Sequence, residues 1–511
     1  MGYKQIQVTL PTNYTEDQFN KAVQKAAGTA EFTCQIEKKS LDARKKNNIH
    51  WLISAIVSSE AFTGEPYPPP PPLAIPREKR SAKVVVTGSG PAGFFAAQVL
   101  QIAGFEVTVL ERGSEVEKRS EAIRQMETDG SFAPQNNYAF GEGGAGTFSD
   151  GKLTSRSKHI SEERRFILSE YVKAGAPEEI MYMAYPHVGT DHLKKIVFNL
   201  RQTFLGNGGT LLFETQLEDI VVKGGRVTKV VTSRGELEAD RLVVATGHSA
   251  YDTYRMLMHR GVQFRTKNFA IGHRIEHPQA LINKAQWGKE KLPGVKAAEY
   301  RLSTKTSSGV PVYTFCMCPG GYVVPSAAYE QRSVVNGMSY YMRDGDYANA
   351  GVVAGVHPDM LLGHVSSPEE ILDWLDDLEE QFFAFYGSLV VPAARALSYM
   401  KKHRTGDLPS GSYPLGMQPA SLFDMVPPGV GRAIAEGLKD FGRKINGFET
   451  GVLMGLESKT SSPIQVLREN NGLCAGFENL YFAGEGSGYA GGIISSAADG
   501  VKCALAICSE K

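Results

Sequence analysis

The chain alternates between two hydrophobic rhythms. IQVTL near the start alternates apolar and polar positions, as a half-buried strand does, and TEDQFNKAVQKAAG then carries apolar residues at helical spacing behind a capping Thr15. Together they predict a small α/β module over residues 1–64. EPYPPPPPLAIP breaks both rhythms: Pro68 to Pro72 fix an extended polyproline II rod, read as a stiff spacer over 65–82. From Lys83 a continuous apolar run, Val84 to Val86, predicts a strand buried on both faces, followed by a glycine turn, a helix and a second strand ending at Glu111. Later strands are predicted at TLLFET, VTKVVTS and DRLVVATG, and a helix over SPEEILDWLDDLEEQFFAFYG with Ser367 as its N-cap. The last 35 residues return to strand, glycines and helix in ENLYFAGEGSGYAGGIISSAADGVKCALAI.

Composition changes this picture little. The 511 residues are 42% hydrophobic and 22% charged, which is ordinary for a globular chain of two or three domains. The formal net charge of zero disfavours a nucleic-acid partner, although KKSLDARKKNNIHW is a local basic run. No apolar stretch suggests a signal peptide or a membrane span. Six scattered cysteines without a CxxC pair fit a reducing compartment, so a cytoplasmic location is expected.

The chemistry is carried by KVVVTGSGPAGFFAAQVLQIAGFEVTVLERG. Gly88 permits a tight turn, Gly90 lets backbone approach a pyrophosphate, and Gly93 lets the helix pack on the strand. The pyrophosphate is expected against the helix N-terminus at Ser89, Pro91 and Ala92, where unpaired N–H groups and the macrodipole favour negative charge. Glu111, 23 residues beyond Gly88, is placed to accept the ribose hydroxyls, with Arg112 beside it. A carboxylate there would repel a 2′-phosphate, which favours FAD or NAD over NADP. Ala245, Thr246 and Gly247, which end a strand, and Gly484, Glu485, Gly492 and Ile493 near the C-terminus favour FAD. The terminal helix would set its positive end against the pyrimidine side of the flavin. AFGEGGAGTFSDGKLTSR adds a glycine-dense loop in which Gly144, Gly146 and Thr147 are candidate flavin contacts and Lys152 a candidate catalytic group. GVGRAIAEG has no preceding strand and reads as a helix start, so a second dinucleotide domain is not expected.

On the substrate side, Cys316 and Cys318 form a CxC pair whose sulfurs would share one face of a strand. Cys318 is a candidate thiol, the plain alternative being two small hydrophobes in a core strand. His187 precedes a helix expected to be capped by Thr190. His273 and Arg274, in IGHRIEHPQ, offer an acid–base group and an anion-binding group. HExxH, clustered Cys/His spacing and a nucleophile elbow are all lacking, so no metal is expected.

At this point the sequence resembles the family of uncharacterised FAD-dependent dehydrogenases. The segments that carry the resemblance are EKKSLDARKKNNI, GSGPAGFFAA, GTFSDGKLTSR, PHVGTDHL, ATGHSAYDTY, IGHRIEHPQ, TFCMCPGGYVV, ESKTSSPIQVLR and GEGSGYAGGI, from about residue 30 to the C-terminus. The resemblance implies a Rossmann-like FAD-binding domain of glutathione-reductase type over 83–272 and 449–511. It further implies an inserted α+β substrate domain over 273–448 and the small N-terminal α/β module. It brings no settled substrate. Tyr251 stands where Arg is expected and Lys459 where Arg is typical, which removes two planar guanidiniums from any anion clamp. The expectation is an FAD-dependent oxidoreductase passing hydride between flavin N5 and a small molecule, with NAD(P)H a candidate electron donor. The alternatives are a flavin-dependent RNA-modifying enzyme and a non-catalytic flavin-fold binding protein.

Overall fold

The computed structural model describes residues 2–403 and 406–510. Its first sheet is built from short, strongly apolar strands that neighbours cover on both faces. Leu480–Phe482, Arg241–Val244, Lys83–Thr87, Glu106–Leu110 and Thr210–Leu212 lie side by side in that order, all parallel. On one face the helices Pro91–Ile102 and Ile493–Ser509 pack against Val84, Val86 and Val243. On the other, a meander of Leu217–Lys223, Arg226–Thr232 and Gly235–Glu238 covers Val85, Leu242 and Val244. Both layers explain why the central strands read as unbroken valine runs rather than alternating ones. The ENLYF stretch contributes the buried edge strand Leu480–Phe482.

A second sheet of seven strands is ordered Ser303–Lys305, Pro311–Cys318, Tyr347–Val356, Phe269–Pro278, Val452–Glu457, Val391–Arg395, Met417–Pro419. The sequence boundaries drawn after 272 and after 448 cut through this sheet's material. Phe269–Pro278 runs unbroken through Gly272, and Val452–Glu457, assigned to the FAD-binding part, pairs antiparallel with it at Arg274↔Met454. A strand is defined by its partners, and these lie too far along the chain for local pattern to reveal. The helix Pro368–Ala384 begins with the predicted cap: the Ser367 hydroxyl accepts from the Glu370 amide, and Glu370 answers to the Ser367 amide. GVGRAIAEG lies in the helix Pro428–Lys444.

The N-terminal strands Gly2–Pro11, His50–Ser59 and Thr33–Asp42 form an antiparallel sheet backed by Glu16–Ala27, which Thr15 and Gln18 cap reciprocally. Residues 65–82 adopt no helix or strand. The proline rod is docked along its course: Arg165 donates to the Pro71 carbonyl at 3.0 Å, and Leu73 and Ile75 pack on the first core.

Candidate functional site

A cavity of about 260 Å³ opens where the carboxyl ends of the parallel strands meet the second sheet. At one end the three glycines of the turn do different work. A Cβ on Gly88, whose φ is +97°, would lie 2.4 Å from the Ala245 carbonyl oxygen, and one on Gly93 would lie 2.0 Å from the Gly88 oxygen. These two glycines serve close packing. A Cβ on Gly90 meets only the Gly144 Cα, at 3.7 Å, and Gly90 lines the cavity. Its missing side chain is therefore space for a ligand.

Gly90 caps Pro91–Ile102 and Gly492 caps Ile493–Ser509, and neither helix has a side-chain cap. Both N-termini face the same cavity, through Gly90, Pro91 and Ala92 on one and Gly492, Ile493 and Ser496 on the other. Two helix N-termini so placed favour an anionic ligand with more than one polar centre.

Glu111 differs from the expectation. Its Oε2 accepts from the Ser89 amide at 2.9 Å and the Ser89 hydroxyl at 2.6 Å; its Oε1 accepts from the amides of Gly113 at 3.0 Å and Gly141 at 3.1 Å. The carboxylate thus ties the glycine turn to the next segment, and a ribose would have to share it. Arg112 makes a bidentate pair with Asp252 at 2.9 and 3.0 Å and lies over the Phe140 ring.

The glycine-dense loop forms the cavity floor with Gly144, Ala145, Gly146, Ser149, Asp150 and Lys152. Its shape is held by Arg119, a fully buried residue the sequence did not single out. The Arg119 guanidinium donates to the carbonyls of Asn137, Tyr138, Gly141, Glu142 and Gly144 at 2.7–3.2 Å. Burial without a carboxylate contact lowers its pKa to about 10. Asp150, 1% exposed, accepts from Arg343 at 3.0 and 2.6 Å and from Lys152 at 2.8 Å. Against the opposing pull of burial, those two cations hold its carboxyl well below the usual range.

The far wall comes from scattered positions: His248, Ser249, Phe315, Cys316, Asn336 and Lys459. The two departures from the family pattern meet here. Lys459 Nζ donates to the Tyr251 hydroxyl at 2.8 Å and pairs with the fully buried Glu379 at 2.8 Å. Glu485 also lines the cavity, and burial raises its pKa to about 7. The nearby His248 is driven down to about 3, chiefly by burial, and is neutral.

Of the sequence-predicted cofactor residues, Ser89, Gly93, Thr147 and Gly484 do not line the cavity. The Ser89 side chain is turned onto Glu111, Thr147 donates to the Glu142 carbonyl at 3.2 Å, and a Cβ on Gly484 would lie 2.6 Å from the Ala92 Cβ. Among the catalytic candidates only Lys152 reaches it. His273 is spent on the Gly455 carbonyl at 2.7 Å, and Arg274 forms a fully buried pair with Glu457 at 2.9 Å. They point to opposite faces of their strand, and both faces are buried. Cys318 lies behind Cys316. Thr190 is no cap: it is inside the helix Gly189–Gly206 and donates to the Thr147 carbonyl at 2.9 Å. Within the basic run, Lys39 sits over the Tyr14 and Trp51 rings and Arg44 pairs with Asp42. No helix among the described residues is long and apolar enough to cross a membrane.

Residues 82–286 match the family model described as pyridine nucleotide-disulphide oxidoreductase, and residues 268–460 the one described as FAD-dependent protein, C-terminal domain-like. An uncharacterised protein of Clostridium beijerinckii is 40% identical over 490 residues, 92% of this chain and 91% of its own. Among solved structures, glycine oxidase from Bacillus cereus aligns over 84% of this chain and 96% of its own at 12% identity and a TM-score of 0.34. L-proline dehydrogenase from P. horikoshii aligns over 84% and 94% at 12% identity and a TM-score of 0.36, a likeness too distant to transfer a substrate.

Proposed function

The chain belongs to a family of FAD-dependent oxidoreductases, and on that premise we propose that it moves hydride between flavin N5 and a small-molecule substrate. The observation that carries this reading is the pair of uncapped helix N-termini, at Gly90 and Gly492, converging on one cavity with a side-chain-free position at Gly90. When bound, FAD supplies a two-electron carrier whose reactive atom the protein need only orient. Gly88, Gly90, Pro91 and Ala92 would hold the pyrophosphate; Arg112, Phe140 and the edge of Glu111 would hold the adenosine. Ile493 and the Gly492 amide would meet the pyrimidine side, where the helix dipole stabilises negative charge.

The chain's own groups set the protonation of the site. Glu485 stands at about 7 and can take up or release a proton near neutrality. Lys152, fixed by Asp150 and the Met317 carbonyl, presents a positive charge to the far end of the cavity. That charge and Lys459 favour a substrate with an anionic or electron-rich group there. NAD(P)H is the proposed electron donor, binding to the flavin face rather than to a domain of its own.

The test is the visible spectrum of the purified protein before and after anaerobic NADH or NADPH. The reading predicts a yellow protein with one FAD per chain, bleached by at least one nicotinamide. A colourless protein that FAD cannot reconstitute would overturn it.

A further inference from the structure

The strand Pro311–Cys318 departs from regular pairing where it meets the cavity. Phe315 pairs with Gly351 and Cys318 with Asn349, so three steps on one strand face two on its neighbour, and the extra residue is bulged. Cys316 sits in that bulge with φ +42°, a left-handed conformation that costs a side-chain-bearing residue strain and persists only when the surroundings impose it. The bulge cancels the alternation expected of a CxC pair. Cys316 lines the cavity and Cys318, fully buried, lies directly behind it.

The Cys318 thiol folds back onto Cys316. The Cys318 S–H reaches the Cys316 carbonyl at 3.3 Å. Arg274 clamps the pair from behind, donating to the Cys316 carbonyl at 2.6 Å and to Cys318 Sγ at 3.4 Å. Lys152 holds the Met317 carbonyl between them. The neighbouring Cys318 thiol, Lys152 and Arg274 favour a thiolate at Cys316, burial and Asp150 oppose it, and the balance lowers the Cys316 pKa to about 6. Burial pushes Cys474 and Cys503 up to about 12 and Cys508 to about 11, as befits inert core thiols.

We propose that Cys316 and Cys318 form a dithiol–disulfide couple that exchanges two electrons with the FAD held in the same cavity. In the oxidising direction the Cys316 thiolate and the Cys318 thiol form an S–S bond. Two electrons and one proton leave the pair and pass to the oxidised flavin, which becomes its singly protonated reduced form; the reverse step reopens the bond. Neither cysteine lies in the stretch that matches the disulphide oxidoreductase model, residues 82–286, so the couple is built from the second sheet. The proposal rests on the FAD reading above.

Anaerobic dithionite titration of the air-oxidised holoenzyme, with alkylation and peptide mapping before and after, tests it. The wild type should take up four electrons per FAD, and mapping should find Cys316 linked to Cys318 before reduction and both alkylated after. Cys316→Ser holoenzyme should take up two. A wild type that binds FAD, takes up only two electrons and shows both thiols free in the oxidised state would overturn the couple while leaving the FAD reading intact. Failure to bind FAD at all would instead remove the reading beneath it. The wild-type titration decides even if the variant does not fold.

Discussion

The two ends of the cavity are made differently. The nucleotide end is largely backbone: Gly88, Gly90, Gly144 and Gly492 contribute open space, and the Glu111 carboxylate is consumed in bracing the turn. The far end is side chain: Lys152, His248, Cys316, Asn336 and Lys459 face one another from five separate segments. Backbone chemistry is indifferent to substrate, so it suits a cofactor held in one pose; charged and nucleophilic side chains suit selection and reaction. The contrast teaches that binding of FAD and choice of substrate are separable in this protein, and substitutions should separate them.

The largest effect is expected at the nucleotide end. Gly90→Ala adds a methyl that the fold tolerates but the cavity does not. FAD affinity should fall by about a hundredfold or more, roughly 2.7 kcal/mol, with the melting temperature of the flavin-free protein unchanged. Gly93→Ala, whose methyl would sit 2.0 Å from the Gly88 oxygen, should instead lower the stability of the flavin-free protein. Titration calorimetry and thermal melts on both variants check the distinction; equal FAD affinity in Gly90→Ala and wild type would erase it.

At the far end, Lys459→Met leaves Glu379 buried without its cation, which should cost about 3 kcal/mol in urea unfolding. Lys459→Met combined with Glu379→Gln should recover most of that loss. FAD affinity in the double variant should stay near wild type if the ends are as independent as their construction suggests. A large loss of FAD there would contradict the comparison.

How far the sequence could be read follows the same division. The glycine turn, the strand before it and the helix after it are contiguous, so their spacing carries the geometry, and Ser367 and Thr15 announced their helices through local capping. The far wall gathers His248, Cys316, Asn336 and Lys459 from separate segments, which no local period encodes. Arg119 gave no signal because its five acceptors are carbonyls, present at every residue. Cys316 was visible as half of a CxC pair, but the bulge that turns it and not Cys318 to the cavity was not. Tyr251 and Lys459 were visible only as departures, and the structure supplies the reason to consider them together: they touch.

A smaller effect joins the two ends through Glu485. Its carboxyl, raised to about 7 by burial, is neutral below that pH and anionic above it. An anionic carboxylate repels the diphosphate, so FAD affinity should weaken as pH rises from 6 to 8, by about three- to tenfold. The same shift means the folded state binds a proton the unfolded chain has lost between about 4.5 and 7, so this group's contribution to stability declines as pH rises across that window. Glu485→Gln should flatten the pH dependence of binding, measured by fluorescence quenching of FAD; an unchanged slope would remove Glu485 from the site.

The most direct measurement is a crystal structure with FAD bound. It should show the diphosphate against the Gly88–Gly90 turn and the flavin ring reaching the wall that holds Cys316. A nucleotide bound elsewhere, or a ring pointing away from that wall, would contradict the account.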